Sequence, residues 1–364
     1  MALQEIEFTS HNGRDAIQAW AYEPVGTPTA VVQIIHGLGE HSRRYLHMIS
    51  ALLDAGFVVI ADDHAGHGRT AMQSGVWADA GDNAAEVVIS DELTLQQQLA
   101  GQFDDLPWDD HAGHGRTAMQ SGVWADAGDN AAEVVISDEL TLQQQLAGQF
   151  DDLPWVVFGH SWGSMIARAM ATRPGTRLDG LALCGIVAQP RGFETTLDHK
   201  TLAKAMATAP TDPAPEALVA QMFDGFADRL SEDDGPTGWV ARSKEVVADH
   251  GKDKFNNFGA PMSTRFLQGL ADIYAMANGD SFYATMPNIP IVLFAGSEDP
   301  AGDFGTGVKA VAERLRRDGH NVELHLYDGL RHEVHNEPES RADVESSLVT
   351  FVDRVANRRI KRSR

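Results

Sequence analysis

The chain has 364 residues, 43% of them hydrophobic and 22% charged, which is typical of a folded globular protein and not of a disordered or coiled-coil chain. Its formal net charge of −23 opposes nucleic acid and anionic membrane surfaces as general partners. A single cysteine, Cys184, excludes a disulfide within the chain, and no apolar run reaches the ~18 residues that a membrane-spanning helix needs.

In chain order, the first predicted strand covers residues 31–35, a run of apolar and β-branched side chains. The residues before it carry no secretory signal pattern, so we expect a cytoplasmic protein. A helix is predicted over about 45–55, and a second apolar strand over 57–61. Strand and helix therefore alternate from the beginning, as in a parallel sheet.

A long stretch of the sequence is present twice. Residues 62–108 recur without a change as 109–155. One tandem copy is not a solenoid, which needs at least three stacked units. The duplication supplies two equivalent helices, about 84–99 and 131–146, for one position beside the sheet. We expect one to dock and the other to lie outside, where it could also be exchanged between molecules.

The second copy leads into a short apolar strand that runs directly into a predicted helix ending near residue 172. The junction contains Gly159, Ser161 and Gly163 in the pattern G-x-S-x-G. This pattern is typical of a nucleophile elbow, where a sharp turn exposes a serine above the sheet edge and a Cβ on either glycine would collide with backbone. Ser161 is thus the candidate nucleophile.

After a strand predicted over 181–187, proline, aspartate and short helical patterns replace strands. We interpret 189–286 as a helical cap, with 1–188 and 287–364 forming the core. Apolar cap residues at helical spacing either pack in the core or line a substrate pocket. The candidates for contact with substrate are Met222, Phe223 and Phe226.

The alternation then resumes with a strand over 289–295, a helix over about 307–317, a strand over 322–327 and a closing helix over about 338–355. The strand over 322–327 alternates apolar and polar side chains, which predicts an edge strand. The fold class is therefore α/β, with a mostly parallel central sheet, helices on both of its faces and an inserted helical cap.

Two candidate partners for Ser161 follow predicted strands near the end of the chain. Asp299 lies just after the strand over 289–295, and His332 just after the strand over 322–327. A serine hydroxyl needs an imidazole to accept its proton and a carboxylate to orient the ring. The chain order Ser, Asp, His and the shared sheet edge both fit an elbow enzyme. We predict a catalytic triad of these three residues.

An acyl-transfer site also needs donors for the developing oxyanion. The backbone N–H after the nucleophile belongs to Trp162. The second donor is expected from the loop after the first predicted strand, where the glycine-rich residues 36–40 allow backbone amides to face the site. We predict the N–H of Leu38 as that donor.

Five motifs occur in this order along the chain: His36-Gly-Leu-Gly-Glu-His-Ser-x-Arg-Tyr45, Asp63-His-x-Gly-His-Gly-Arg69, Gly159-His-Ser-x-Gly163, Gly296-x-x-Asp-Pro300 and Arg331-His-Glu-x-x-Asn-Glu337. Together they resemble the monoacylglycerol lipase and lysophospholipase branch of the α/β-hydrolases. The resemblance implies an α/β-hydrolase fold, Ser161 with Asp299 and His332 as triad, Leu38 and Trp162 as oxyanion donors, and a helical cap over an acyl pocket. Relatives often have Met or Leu where this chain has Trp162, which narrows the range of acyl groups that the site can accept.

The other histidines are interpreted as scaffold. The segment His332-Glu333-Val334-His335 differs from the H-E-x-x-H pattern of zinc proteases, and no cysteine pair exists for a closed zinc site, so we expect neither a metal nor another cofactor. Hydrogen-bonded structural roles are predicted for His36, His41, His64, His67 and His160.

The sequence therefore predicts a serine hydrolase that cleaves carboxylic esters, such as a monoacylglycerol, a lysophospholipid or a small acyl ester, through an acyl-enzyme formed on Ser161. The same triad could act on an amide, cleave a C–C bond or perform perhydrolysis, because the pocket and not the fold sets the reaction. A non-catalytic binding protein, with its site blocked by the duplication, is the alternative from another class. We expect a monomer or homodimer with at most peripheral membrane contact through the cap.

Overall fold

The computed structural model describes residues 2–10, 14–76, 136, 153–256, 258 and 261–362. Within these ranges, eight strands form a single sheet. The strands are β1 Ala2–Thr9, β2 Ala16–Glu23, β3 Val31–Ile35, β4 Val58–Asp63, β5 Trp155–His160, β6 Gly180–Cys184, β7 Ile291–Gly296 and β8 Val322–Tyr327. Their order across the sheet is β1-β2-β4-β3-β5-β6-β7-β8.

Strands β4, β3, β5, β6, β7 and β8 pair in parallel. The predicted mostly parallel sheet is confirmed, and β8 lies at its edge as predicted. The antiparallel strands β1 and β2, which continue the sheet beyond β4, were not predicted. On β1, buried Ile6 and Phe8 alternate with exposed residues, a period that indicates a strand with one face on the core.

Ten α-helices lie within the described ranges. They are α1 Leu46–Asp54, α2 Gly68–Ser74, α3 Trp162–Met170, α4 His199–Thr208, α5 Glu216–Met222, α6 Lys244–Lys252, α7 Thr264–Asn278, α8 Asp280–Thr285, α9 Thr306–Arg317 and α10 Arg341–Arg362. None of them combines the length and the apolar character that a bilayer span requires.

The helices cover both faces of the sheet, as predicted. Successive residues of a strand point to opposite faces, so on β3 Val31 and Ile35 join one apolar core while Val32 and Ile34 join the other. The first core also contains side chains of α3, α7 and α9, and the second those of α1 and α10. The parallel strands other than the edge strand β8 are therefore buried on both sides, which explains their nearly continuous apolar sequences.

Helices α4 to α8 belong to the segment that the sequence assigns to the cap, and that division of the chain stays a prediction. Helix α7 packs closely against α3, the helix that follows Ser161. The buried guanidinium of Arg168 on α3 donates to the carbonyl of Val187, at 2.7 Å, and to the side chain of Asn278, at 2.9 Å. Arg168 thus connects α3 to the residue two positions before this segment and to the last residue of α7.

The chain enters the duplicated stretch through the first copy, which supplies the end of β4 and all of α2, and leaves it through the second copy, whose last residue Trp155 begins β5. The two candidate helices lie outside the described residues except for Ile136. Ile136 is helical and fully buried in the core that contains α3. This residue belongs to the second copy, so that copy contributes to the core.

Candidate active site

Ser161 occupies a strained turn between β5 and α3. Its φ of 55° and ψ of −119° are a conformation that non-glycine residues rarely adopt. A Cβ on Gly159 would lie 2.3 Å from the carbonyl oxygen of Gly163, and a Cβ on Gly163 would lie 2.3 Å from that of Ile35. The predicted need for glycine on both sides of the serine is therefore confirmed.

Asp299 and His332 meet where the loops after β7 and β8 are pressed together. A Cβ on Gly296 would lie only 2.1 Å from the carbonyl oxygen of Leu330, so glycine permits this approach. The Nδ1 atom of His332 lies 3.0 Å from both carboxylate oxygens of Asp299. The carboxylate also accepts the backbone N–H of Ala301 at 2.9 Å, which fixes its orientation.

Both side chains are buried, and the Asp299 carboxylate strongly affects the ionisation of His332. Burial by itself disfavours a charged imidazole, but the adjacent Asp299 carboxylate outweighs burial and raises the pKa of His332 above its usual value. Nδ1 donates to the carboxylate, which leaves Nε2 as the nitrogen that can accept a proton from another group. This is the arrangement that a general base requires.

Ser161 and His332 line the same cavity, which we call the small cavity; its volume is about 40 Å³. Leu38 and Trp162, whose N–H groups are the predicted oxyanion donors, also line it, and Asp299 lies behind His332. The structure thus brings every predicted site residue to one place. The three predicted cap residues in its wall are Met222, Phe223 and Phe226.

The loop after β3 passes directly beside the serine. A Cβ on Gly37 would lie 3.1 Å from the Cβ of Ser161, so a side chain at position 37 would crowd the nucleophile. Gly39 has φ of 72°, which favours glycine. Leu38 therefore sits on a tight turn beside Ser161 and lines the small cavity.

Glu40 anchors this loop, a role that the sequence did not reveal. Its buried carboxylate accepts the N–H of Gly37 at 2.6 Å, the hydroxyl of Tyr45 at 2.7 Å and the Nε–H of Arg44 at 3.1 Å, and it contacts Nδ1 of His160 at 2.8 Å. Burial would raise the pKa of Glu40, but His160 and Arg44 hold it well below its usual range. A fixed negative charge therefore holds the turn that carries Leu38.

The histidines interpreted as scaffold are buried, and each has a hydrogen-bond contact in the structure. Nε2 of His36 accepts the backbone N–H of His64 at 3.1 Å, and Nε2 of His41 contacts Asp253 at 2.8 Å. Nδ1 of His67 lies 3.1 Å from the carbonyl oxygen of Ala65. Among the residues that the structure describes, no group of three or more His, Cys, Asp or Glu side chains is arranged to hold a metal ion.

A second and larger cavity of about 550 Å³ adjoins the small one, and we call it the large cavity. The two share Leu38, Phe223 and Phe258 in their walls. Within the described part of the chain, neither wall includes a lysine or arginine, and most of the lining side chains are apolar. The space beside Ser161 therefore suits an uncharged, largely apolar molecule.

Two solved structures resemble the chain over nearly its whole length. A structure described as a lipase in its open form is 87% identical, with a TM-score of 0.84, and the match covers 98% of this chain and 100% of that one. A highly thermostable carboxyl esterase from Bacillus coagulans, solved in complex with glycerol, is 34% identical with a TM-score of 0.80, over 98% of this chain and 99% of that one.

Relatives identified by sequence similarity include lipases that are named for monoacylglycerols. The monoacylglycerol lipase of Mycolicibacterium smegmatis is 23% identical over 336 residues, which cover 91% of this chain and 92% of the relative. The matches to human monoglyceride lipase and its monkeypox virus homologue are local and span 19% and 27% of those proteins. The sequence profile of the Hydrolase_4 family, described as serine aminopeptidase, S33, matches residues 26–93 and 94–339. The chain therefore belongs to this family of serine hydrolases with the α/β-hydrolase fold.

Proposed function

We propose that this protein hydrolyses carboxylic esters through an acyl-enzyme formed on Ser161. The observation that carries the proposal is the hydrogen-bonded pair of Asp299 and His332 at the small cavity that Ser161 lines. A strained serine, a buried imidazole and an orienting carboxylate are the parts of an acyl-transfer site. The lipase and esterase neighbours support an ester as the substrate.

In the acylation step, Nε2 of His332 takes the hydroxyl proton as Oγ of Ser161 attacks the ester carbonyl carbon. Asp299 holds the Nδ1 proton of the ring and stabilises the imidazolium that forms, without itself taking the proton. The tetrahedral intermediate then expels the alcohol, which receives the proton from Nε2. The acyl group remains bound to Oγ as an ester.

The negative oxygen of the tetrahedral intermediate is stabilised by the backbone N–H groups of Leu38 and Trp162. In comparable sites, loss of one such donor raises the barrier by about 2.7–4 kcal/mol. The hydrogen bonds of Glu40 keep the Leu38 turn in place before substrate binds, so little reorganisation is needed during the reaction.

In the deacylation step, Nε2 of His332 takes a proton from water, whose oxygen attacks the acyl carbonyl carbon. The second tetrahedral intermediate expels Oγ of Ser161, which regains its proton from the imidazolium. The products are a carboxylic acid and the free enzyme. Neither step calls for a metal ion or another cofactor, because the residues named supply the base, the nucleophile and the oxyanion donors.

The walls of the two cavities favour an uncharged ester. A monoacylglycerol or a small acyl ester fits them better than a lysophospholipid, because a phosphate is usually bound by arginine or lysine and neither wall contains one in the described residues. Trp162 narrows the space beside Ser161 further. The predicted oligomeric state and the peripheral membrane contact through the cap stay predictions.

Hydrolysis of an amide is the second candidate, since the family description names a serine aminopeptidase. The same residues could perform that reaction, and also C–C hydrolysis or perhydrolysis. A panel of esters and amides with identical acyl groups separates the two main candidates. A non-catalytic binding protein would fail to react with a fluorophosphonate, which labels an activated serine.

The direct test is hydrolysis of p-nitrophenyl butyrate by the wild type and the Ser161→Ala variant. Turnover should disappear with the hydroxyl. Ser346→Ala is the matched control, because Ser346 is exposed on α10 and its hydroxyl bonds only within that helix. Full turnover by Ser161→Ala would rule the proposal out.

A further inference from the structure

The motif over residues 331–337 contains two charged side chains that the triad does not use, those of Arg331 and Glu337. Arg331 immediately precedes His332, the proposed base, but its side chain lines neither the small nor the large cavity. Both side chains bond instead to residues 238–243, which we call the brace. The brace belongs to the segment that the sequence assigns to the cap.

One nitrogen of Arg331 has three acceptors at the brace. Nη1 donates to the carbonyl oxygens of Gly238, at 2.8 Å, and Ala241, at 3.3 Å, and to the carboxylate of Asp234, at 2.9 Å. The side chains of Arg331 and Asp234 are only 15% and 16% exposed, so solvent screens this ion pair less than a surface pair. The guanidinium therefore holds both ends of the turn 238–241.

The backbone beside Arg331 holds the residues between those two ends. The N–H of His332 donates to the carbonyl oxygen of Trp239 at 3.4 Å, and the N–H of Glu333 donates to that of Val240 at 2.8 Å. Trp239 and Val240 are buried. Four consecutive carbonyl groups of the brace thus accept hydrogen bonds from three consecutive residues that include the proposed base.

Glu337 continues this attachment along the brace. Its buried carboxylate accepts the backbone N–H groups of Arg242 and of Ser243, the second at 3.0 Å. Every residue of the brace is therefore bonded through its backbone to the stretch 331–337. Such an array fixes the position of the brace relative to that stretch more firmly than one hydrogen bond would.

This attachment places an indole beside the imidazole of the proposed base. The ring of Trp239 lies 5.2 Å from the ring of His332 between centroids, at an angle of 55°, and both residues line the small cavity. Asp299 bonds to the imidazole through Nδ1 alone, which fixes one edge of the ring. How the ring turns about that edge is limited by its packed neighbours, Trp239 and, at 4.9 Å, His160.

We propose that Arg331 is a positioning residue for His332. By holding the brace, it keeps the indole of Trp239 against the imidazole, so that Nε2 stays directed at Oγ of Ser161. The inference rests on the proposed ester hydrolysis. Because Arg331 lies outside both cavities, its effect reaches the reaction only through Trp239 and His332. A displacement of about 1 Å at a reacting group lowers a rate by about 100-fold.

The first test removes the guanidinium and keeps an unbranched side chain. In Arg331→Met, kcat for p-nitrophenyl butyrate should fall by roughly 10- to 100-fold while KM changes little, because an interaction needed in the transition state is lost and no wall of either cavity changes. Arg331→Lys can still donate to Asp234, so it should retain part of the rate.

Arg191→Met is the matched control. Arg191 is an exposed arginine of the predicted cap and is also ion-paired, with Asp224 at 2.8 Å and Asp228 at 2.7 Å, but it lines neither cavity. Its kcat and KM should match those of the wild type. Loss of an ion pair from this segment would then not by itself explain a slow Arg331→Met.

A double-mutant cycle separates action through Trp239 from a general loss of stability. Trp239→Leu should itself lower kcat, because the imidazole loses its packed neighbour. Adding Arg331→Met to that variant should lower kcat by less than about twofold more, since the arginine then has no indole to hold in place. Two independent structural defects would instead multiply their losses of kcat.

An unchanged kcat in Arg331→Met, or losses that multiply in the double variant, would overturn the inference, while normal turnover by the wild type would leave the proposed function intact. If Arg331→Met is insoluble, Arg331→Lys takes its place in the cycle with Trp239→Leu, and the same two results decide. If the wild type does not hydrolyse p-nitrophenyl butyrate, the proposed function fails and this inference fails with it.

Discussion

The rings of Phe223 and Phe258 meet edge to face, with their centroids 5.7 Å apart, in the wall that the small and large cavities share. The space on the side of Ser161 is about 40 Å³, and the space beyond the two rings is about 550 Å³. A long acyl or alcohol arm must therefore pass these rings to use the larger volume. We therefore predict that this aromatic pair limits the length of the substrate that reaches Ser161.

Replacing the ring of Phe223 should shift the chain-length preference towards longer esters. In Phe223→Ala the two cavities become continuous, so the ratio of kcat/KM for p-nitrophenyl octanoate to that for the acetate should rise about tenfold, the change that 1.4 kcal/mol of transition-state binding produces. A chain-length series from acetate to dodecanoate measures this shift.

The control for this variant is Leu230→Ala. Leu230 packs against the same apolar core but lines neither of the two cavities. Both variants should lower the free energy of unfolding, by about 2–5 kcal/mol if the site relaxes little, but only Phe223→Ala should change the chain-length ratio. An equal shift in both variants would show that loosening of this apolar core, and not the aromatic pair, sets the preferred chain length.

Removing the charge of Asp299 should slow catalysis and alter its pH dependence. The base must be neutral to accept a proton, and Asp299 raises the pKa of His332, so wild-type kcat/KM should rise with pH through a midpoint above about 6.5. In Asp299→Asn the midpoint should fall and kcat should drop by about 10⁴-fold, the effect of removing this carboxylate in a serine hydrolase triad.

Glu298→Gln is the matched control for this experiment. Glu298 is the neighbouring carboxylate, and it pairs with the exposed Arg229 at 2.9 Å instead of with His332. Its pH profile and kcat should remain close to those of the wild type. If Glu298→Gln showed the large loss and Asp299→Asn did not, the acid of the triad would be assigned to the wrong residue.

The elbow should tolerate no side chain at position 163. A Cβ on Gly163 would lie 2.3 Å from the carbonyl oxygen of Ile35 on β3, so Gly163→Ala should lower the free energy of unfolding by about 3 kcal/mol. Thermal or urea unfolding measures the loss. Gly251→Ala should instead stabilise the protein by about 0.5–1 kcal/mol, because a Cβ on that exposed helical glycine meets nothing within 4 Å. If the two variants had the same free energy of unfolding, the predicted clash between a Cβ at position 163 and the carbonyl oxygen of Ile35 would be wrong.

The elbow and its partners could be predicted because their requirements are local. Gly159 and Gly163 are needed by one turn, and Asp299 and His332 each follow a strand whose direction fixes the edge on which they lie. The role of Glu40 could not be predicted from spacing, because its partners extend from Gly37 to the distant position 160.

Strands β1 and β2 were not predicted from the sequence for a different reason. On β1 the alternation is confined to a few residues, and the strand is defined by its pairing with β2, whose residues are nearly all buried and show no clear period. Contacts of α7 with α3 also depend on the three-dimensional arrangement, since Arg168 reaches Val187 and Asn278 from far along the chain. Such contacts leave no local pattern in the sequence.

Removal of one copy of the duplicated stretch tests whether the second copy is needed. Deleting 62–108 or 109–155 gives the same shorter chain, because the copies are identical. The remaining copy can supply the end of β4, all of α2, the residue equivalent to the buried Ile136 and the start of β5. The shorter chain should therefore fold and hydrolyse butyrate esters at a rate near that of the full chain. Insoluble or inactive protein would mean that both copies are structural.

The central claim is that the hydroxyl of Ser161 attacks the substrate. Mass spectrometry of the wild type after reaction with a fluorophosphonate tests it most directly, because the reagent marks the activated serine covalently. The peptide that contains Ser161 should carry the whole adduct, and ester hydrolysis should fall in proportion to its yield. An enzyme that hydrolyses esters while the adduct forms on another residue, or does not form, would contradict the account.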